Sequence, residues 1–456
     1  MFRRMGNPER LRRAVRGPYR YTRLRWRVLA RVIDTVGGAL FSSARAVGRL
    51  AYRPPEQGAP FEPRRILLVQ LDHLGDAVIS TAVLPMLRKR YPQGSIEVLA
   101  GPWNRELFEA MDEVDRVHVS RANRFARCGR WAWPMATLYW GLRLRRRRFD
   151  LAIDLRGEFP HALLLWLSGA RRRVGWACGG GRFLLTDWAA YVPERPEVAS
   201  RMALLAAAGI EPPEPAACRP TFRPPEAARR AIRHRLAQLA PVTGAPGPRI
   251  VIHPGAGTPA KMWPAQYWRT LVAELLASGH GPVFLVGSVS DCRAAAVVRR
   301  GMPPAAVIDW TGRWDIAHLG ALLEQADLMI GADSGPGHLA AAVGTPVVSL
   351  FSGTNSPRQW RPGGSPVAVV RHPVPCSPCH RNRCPLPDHP CMRGLRPKLV
   401  FQAAARLLDD VTQAKRRQKD PLAARDPLVS PGGGEPDPRI PPGGLVVFLG
   451  GGGAER

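Results

Sequence analysis

Residues 328–350 read LMIGADSGPGHLAAAVGTPVVSL, and the architecture of the chain can be worked out from them. Residues 328–330 form a short apolar run of the kind a buried strand needs. The run breaks at Gly331, and Asp333, Ser334, Gly335, Pro336, Gly337 and His338 follow. A small-residue helix ends at Gly344, and residues 346–350 read as a second buried strand. Strand, Gly-rich turn, helix and strand is the layout of an α/β nucleotide site. Glycine lets backbone come close to a ligand. A helix N-terminus offers unpaired N–H groups and partial positive charge to a phosphate. Asp333 and His338 add polar side chains at the same mouth. Asp333 or Ser334 would equally serve as a helix N-cap, because capping favours the same residue types.

Upstream, RIVIH (249–253) is another strand, followed by Pro254, Gly255, Ala256, Gly257, Thr258, Pro259, Ala260 and Lys261. Gly255 and Gly257 can admit a phosphate to the backbone, and Thr258 and Lys261 can bind it. The chain has only five lysines, so one beside a Gly-rich loop stands out; a surface lysine is the plain alternative. Trp263-Pro264 should open a helix with a buried stripe of Tyr267, Trp268, Leu271, Val272, Leu275 and Leu276, ended by Gly279. After a strand at 282–286, Asp291 could accept hydrogen bonds from ribose hydroxyls, or be a polar residue in the first turn of a helix.

The first half repeats the pattern. Strands at 66–71 (ILLVQL), 95–100, 114–119 and 151–155 alternate with helical stretches, which argues for a parallel, doubly wound sheet. Ligands bind beyond the carboxyl ends of such strands. Asp76 stands just after the first strand, where a carboxylate can act as general base, or simply as an N-cap. Asp72 is the rival base and His73 a weaker one. A helix from residue 77 to about 91 should follow, with Pro85 bending it. No G-x-G-x-x-G follows the strand, so a dinucleotide oxidoreductase is not supported.

At 456 residues and 45% hydrophobic content, two domains with tails are expected. The net charge of +30 implies an anionic partner. Residues 1–60 hold fourteen Arg against Glu9, Asp34 and Glu56. The segment 21–50 interleaves Arg with apolar residues in runs too short to span a bilayer, and it lacks the form of a signal peptide. It reads as a basic amphipathic helix for an anionic membrane face, or as a disordered leader. Residues 212–225 are a Pro-rich linker, and 415–456, rich in charge and then in Pro and Gly, read as a disordered tail. The expected parts are a leader (1–63), a first domain (64–225), a second domain (226–414) and the tail.

The quoted motifs, together with ILLVQLDHLGDAVISTAVLPMLR and FDLAIDLRGEFPHALLLWLSGARRRVGW, resemble the heptosyltransferase family, glycosyltransferase family 9, from about residue 64 to 410. The resemblance implies a GT-B fold: two Rossmann-like α/β domains facing across a cleft. It puts Asp76 on the catalytic base, and Thr258 and Lys261 on the donor phosphate loop. Asp291 falls near an acidic nucleoside contact where the family more often has Glu. Asp333, Ser334, Gly335 and His338 fall on the donor-binding turn, where Thr is commoner than Ser334. It also implies inverting transfer of heptose from an ADP-sugar to lipopolysaccharide core, at the cytoplasmic face of the inner membrane and without a catalytic metal. The partners expected are therefore an ADP-sugar donor, an anionic lipid-linked glycan acceptor and the membrane surface, not nucleic acid. The charge alone would suggest a nucleic-acid binder, but no RNA- or DNA-binding motif is present. A GT-B-like sugar-nucleotide epimerase is a third reading, and another nucleotide sugar could replace ADP-heptose. Finally, Cys376, Cys379, Cys384 and Cys391 crowd one loop (376–391) that also holds His380 and His389. Their C-x-x-C start suits a structural zinc ion, with reduced or redox-active thiols as the alternative.

Overall fold

The computed structural model describes residues 24–46, 61–121, 132–212, 218–239, 247–419 and 444–446. Two units emerge, Met1–Pro220 and Thr221–Arg456. The division falls five residues before the expected boundary. Phe222 is the reason: it is buried beneath Gly320, and its N–H bonds the Ala342 carbonyl, so residues 221–225 belong to the second unit.

In the first unit, β1 (Arg65–Gln70), β2 (Ser95–Ala100), β3 (Arg116–Val119), β4 (Leu151–Asp154), β5 (Arg172–Trp176) and β6 (Asp187–Ala189) form one sheet. Every pairing is parallel, in the order β3-β2-β1-β4-β5-β6. The second unit contains β7 (Ile250–His253), β8 (Val283–Leu285), β9 (Val307–Asp309), β10 (Leu328–Ala332), β11 (Val347–Phe351) and β12 (Val367–Arg371). They run β12-β11-β10-β7-β8-β9, again all parallel. Counted within each unit this is the same doubly wound order, and it reverses direction between β1 and β4 and between β7 and β10. Ligands of such sheets bind where the order reverses, outside the strands' carboxyl ends.

The strands read as continuous apolar runs because helices cover both faces. The helix Ala265–Ala277 buries Trp268, Leu271, Val272 and Leu275 completely, with Tyr267 and Leu276 packed at the margin. Pro264 is its N-cap, one residue earlier than expected, and Gly279 ends it with φ +75°. After β1, helix begins at Leu74, not at residue 77. It tightens into a 3-10 turn at Thr81–Val83 and resumes at Leu84–Arg90, with Pro85 in the first turn of the new helix. Proline is tolerated there because its missing N–H would have no partner anyway.

The leader is helical, one of its two expected forms, and the tail departs from expectation. In the leader, Leu24–Val32 is α-helical, Ile33–Gly37 winds as a π-helix and Gly38–Ala46 is α-helical again. This segment packs on the first unit. Phe41 meets Trp166 and Phe183 at ring separations of 6.2 and 5.7 Å, and Ala30 is buried. The Asp34 carboxylate accepts the main-chain N–H groups of Gly181 (2.7 Å) and Arg182 (3.1 Å). Residues 1–23 and 47–60 lie outside the described residues. At the other end the helix Pro397–Lys419 runs past residue 415, because Ala403, Ala404, Leu407 and Leu408 anchor its apolar stripe in the core. Gly444–Val446 (β13) adds a parallel strand beside β12, so the expected wholly disordered tail is corrected at both places. The rest of the tail lies outside the described residues.

Removing the Phe41 ring should release the leader. Phe41→Ala is expected to cost about 1–2 kcal/mol of docking. Hydrogen exchange across residues 24–46 should then rise by an order of magnitude or more, with the β1–β5 amides unchanged.

Candidate active site

Each strand-order reversal carries its own cluster. In the first unit the loops after β1 and β4 meet. Asp72 is buried and forms an ion pair with Arg156, whose Nε also donates to Glu158 at 2.9 Å. The Asp72 carbonyl accepts from Trp103 Nε1 (2.6 Å) and Asn104 Nδ2 (2.7 Å). Asp154, ending β4, accepts the N–H groups of Arg156 and Gly157 and faces His161 Nδ1 at 2.9 Å. Asp72 is thus tied into the scaffold. His73 is the N-cap residue of the helix and makes no side-chain capping bond.

Asp76 is different. It is the third residue of the helix Leu74–Ser80, not its cap, and its carboxylate is 14% exposed. Arg201, at 1% exposure, stands 3.9 Å from it and is held by Glu197 Oε2 (3.0 Å) and Ser80 Oγ (3.2 Å). Ser80 in turn donates to the Asp76 carbonyl at 2.8 Å. A buried guanidinium beside a carboxylate favours its charged form. Asp76 combines access to solvent with a fixed positive neighbour, which suits a base better than the sealed Asp72.

In the second unit the candidate residues cluster on the loops after β7, β8 and β10. Lys261 closes a 3-10 turn, Pro259–Lys261, and its Nζ pairs with Asp333 Oδ2 at 2.7 Å while also reaching the Asp333 carbonyl at 3.2 Å. Asn355 Nδ2 donates to the same carboxylate oxygen at 2.8 Å. Asp333 therefore anchors the lysine and does not cap the helix. Ser334 takes the N-cap backbone position, yet its hydroxyl donates to the Ala332 carbonyl (2.9 Å) and meets His253 Nδ1 (3.1 Å). Gly335 opens the helix Gly335–Ala342. Thr258 precedes the 3-10 turn, and its Oγ1 is buried without a hydrogen-bond partner. A Cβ on Gly257 would meet only open space, so nothing in the protein itself demands glycine there.

Asp291 is placed by its neighbours. It forms a capping box with Ser288, lies 3.5 Å from His253 Nε2, and fills the space over Gly255 and Gly287 that a Cβ would need. Burial pushes its pKa up, but hydrogen bonds from His253 and Ser288 outweigh this and hold it below the usual carboxylate range. The first-turn alternative is thus the geometry found, with the carboxylate bracing two glycines.

The Cys-rich loop reaches the same place. Cys379 N–H bonds the Gly353 carbonyl (2.8 Å), the Ala260 N–H bonds the Asn382 carbonyl (3.0 Å), and His389 Nε2 lies 3.1 Å from the Ala260 carbonyl. Burial, only partly opposed by that carbonyl, lowers the His389 pKa, so the neutral ring donates from Nε2. Burial, with the neighbouring Cys379, raises the Cys376 thiol; burial also raises Cys391, to which Cys384, Cys376 and Cys379 add. The four thiols therefore feel one another. Among the described residues, however, no three His, Cys, Asp or Glu side chains are grouped to hold a metal ion. What the loop visibly does is clamp the turn that carries Lys261.

Sequence reasoning missed Arg201, Arg156, His253, Asn355 and the Asn382–His389 clamp. His253 was findable as the last residue of its strand and Arg156 as the residue after β4. Nothing local marks Arg201, an arginine in an apolar helix.

His338, buried on the fourth residue of its helix, has its pKa pushed down to about 4 by burial, against the opposing pull of Asp333 and with Lys261 adding to the fall. It is neutral at pH 7. An unfolded histidine takes its proton near pH 6.5. Stability from this group is therefore complete above pH 6.5 and lost as pH falls toward 4, by at most roughly 3 kcal/mol. Thermal unfolding of His338→Gln should show a flatter limb between pH 6.5 and 4 than the parent protein.

Comparison with known proteins identifies the family. Residues 139–389 match the family described as glycosyltransferase family 9 (heptosyltransferase). The chain is 27% identical over 315 residues to lipooligosaccharide heptosyltransferase 2 of Haemophilus ducreyi, covering 67% of this chain and 88% of that protein. The solved Escherichia coli ADP-heptose LPS heptosyltransferase II superposes with a TM-score of 0.61 at 24% identity, covering 76% of this chain and 99% of the other. The E. coli heptosyltransferase WaaC with ADP gives 0.56 at 18% identity, covering 75% and 99%. The solved structures carry the GT-B fold, and the family match spans more than half of the sequence. This chain belongs to glycosyltransferase family 9, the heptosyltransferases.

Proposed function

We propose that this glycosyltransferase moves heptose from ADP-heptose onto a sugar hydroxyl of the lipopolysaccharide core, with inversion at the anomeric carbon. The donor follows from what the similar E. coli enzymes are named for and hold. The acceptor follows from the H. ducreyi relative, which is named for lipooligosaccharide. The observation that carries the reading is the gathering of Lys261, Asp333, Ser334, Gly335 and His338 on the loops after β7 and β10, on either side of the strand-order reversal.

In this reading the acceptor oxygen attacks the anomeric carbon while Asp76 takes its proton. The bond from that carbon to the diphosphate oxygen breaks, and ADP leaves with the electron pair. The transition state is oxocarbenium-like. Lys261 and the N-terminus of the helix Gly335–Ala342 offset the charge gathering on the leaving phosphate. No catalytic metal is needed, because the ammonium does a cation's work. Asp333 holds that ammonium in place before the donor arrives. Thr258 Oγ1, buried and unpartnered, is a ready phosphate ligand, and Asp291 serves the nucleoside pocket by bracing Gly255. Arg201 sets a fixed positive charge 3.9 Å from Asp76. The acceptor is lipid-linked, so the enzyme works at a membrane surface on the cytoplasmic side. Among the described residues no helix is long and apolar enough to cross a membrane.

Thermal shift against a panel of nucleotide sugars should give its largest stabilisation with ADP-heptose. Asp76→Ala should lower kcat by a factor on the order of 10² to 10⁴ while ADP binds within about twofold of the parent. Lys261→Gln should weaken ADP binding and kcat together. Normal turnover by Asp76→Ala would remove that residue from its role.

A further inference from the structure

The leader helix is apolar on two sides. Its inner side is used: Ala30 is buried, a Cβ on Gly37 would meet the Phe183 ring at 2.5 Å, and Phe41 sits against Trp166 and Phe183. Its outer side is not. Leu24, Val28, Val32, Val36 and Leu40, exposed by 50–68%, follow one another in steps of four, with Trp26 and Leu29 beside them. Steps of four drift slowly around an α-helix of 3.6 residues per turn. The wider π-helical stretch Ile33–Gly37 winds fewer degrees per residue and keeps the ridge in line. Arg25 and Arg31 are exposed on the same helix.

A second exposed stripe lies on the helix Ala132–Arg145: Met135, Leu138, Tyr139 and Leu142, at the spacing of a single helix face. Arg143, Arg145, Arg146 and Arg148 are exposed along and just beyond it. Both helices rest on one support, the helix Phe159–Leu167. Phe41 packs on Trp166, and a Cβ on Gly141 would meet Leu167 at 2.5 Å. Four of the leader helix's eight polar residues are arginine and one is acidic, and residues 1–60 carry fourteen Arg against three acids. An outward apolar ridge edged by cations matches the surface of an anionic bilayer, with aliphatic side chains among the acyl chains and guanidinium groups at the headgroups. A protein partner would have to supply both an apolar groove and a rim of negative charge.

We infer that the leader helix Leu24–Ala46, seconded by the helix Ala132–Arg145, is the docking face by which the first unit lies on an anionic lipid membrane. The inference rests on the membrane-surface reading above and names the part of the chain that serves it. The leader lies outside the residues matched by the family.

The test is flotation of the full-length protein with vesicles of phosphatidylcholine alone and of phosphatidylcholine with one quarter phosphatidylglycerol. The protein should float with the anionic vesicles, at least tenfold more weakly at 0.5 M salt, and hardly at all with the neutral ones. The Val28→Glu, Val32→Glu double variant should lose at least tenfold in vesicle affinity, as should Leu24→Glu, Leu40→Glu. Val192→Glu, an exposed valine of the first unit outside both helices, should bind as the parent does. Unchanged melting temperatures would show that the variants fold. Transfer to a soluble, delipidated acceptor saccharide should be equal in all of them, whereas transfer to vesicle-embedded acceptor should fall with vesicle affinity. Anionic-vesicle binding within twofold of the parent in both double variants overturns the inference. So does a parent dimer that the ridge variants turn into monomers without changing vesicle binding, for then the ridge joins two copies. Absence of transfer by every form, with vesicle binding behaving as stated, would count against the enzymatic reading and leave the docking face standing.

Discussion

The pairing of Lys261 with Asp333 is the contact on which the donor mouth depends. The lysine comes from the loop after β7 and the carboxylate from the loop after β10, the two neighbouring strands at which the sheet reverses its order. A lone ammonium on a four-carbon stem would sample many positions. The carboxylate, itself fixed by Asn355, holds it in one. Around this pair the other groups fall into place. His338 stays neutral because it is buried, against the pull of Asp333, and Ser334 turns from its own helix toward His253, which connects it to Asp291. The result is a mouth with a fixed ammonium and glycine where backbone must come close.

The first unit solves the matching problem with the opposite sign. Two aspartates follow β1, and the structure divides their labour. Asp72 is sealed against Arg156 and helps join the loops after β1 and β4. Asp76, one helical turn on, keeps part of its surface and gains Arg201 as a neighbour. A buried arginine is costly unless its charge is answered. Glu197 answers it, so the guanidinium can sit beside Asp76 as a fixed element of the site.

The sheets were legible because parallel strands covered on both faces are written as unbroken apolar runs, and RILLVQ, SIEVLA and VVSLF carry that signal plainly. The residues of the candidate mouth were legible as glycines and polar residues directly after such runs, although helix caps draw on the same types. Contacts that join distant parts of the chain left no local trace. The pairing of Lys261 with Asp333, the answer of Glu197 to Arg201 and the reach of Asn382 back to Ala260 exist only once the strands are ordered. Asp291 shows the limit from the other side. Its type and place suited a ribose contact and a first-turn position equally, and only the structure shows its capping box with Ser288. The docking of the leader on its unit and the reach of the last helix were missed because arginine-rich composition masks apolar positions that, spaced three or four apart, still find a surface to cover.

The clamp between the Cys-rich loop and Ala260 has a bearing on how the enzyme is made. The ribosome releases residue 260 long before residues 382 and 389, which hold its main chain on both sides. A nascent chain halted between residues 338 and 382 would already contain both candidate donor-loop motifs, yet the lysine-bearing turn would lack its brace. Completion of this mouth therefore waits for nearly the whole second unit to emerge. A premature stop upstream of the cysteines would leave a chain that carries the family's signature in sequence but not an assembled grip in space.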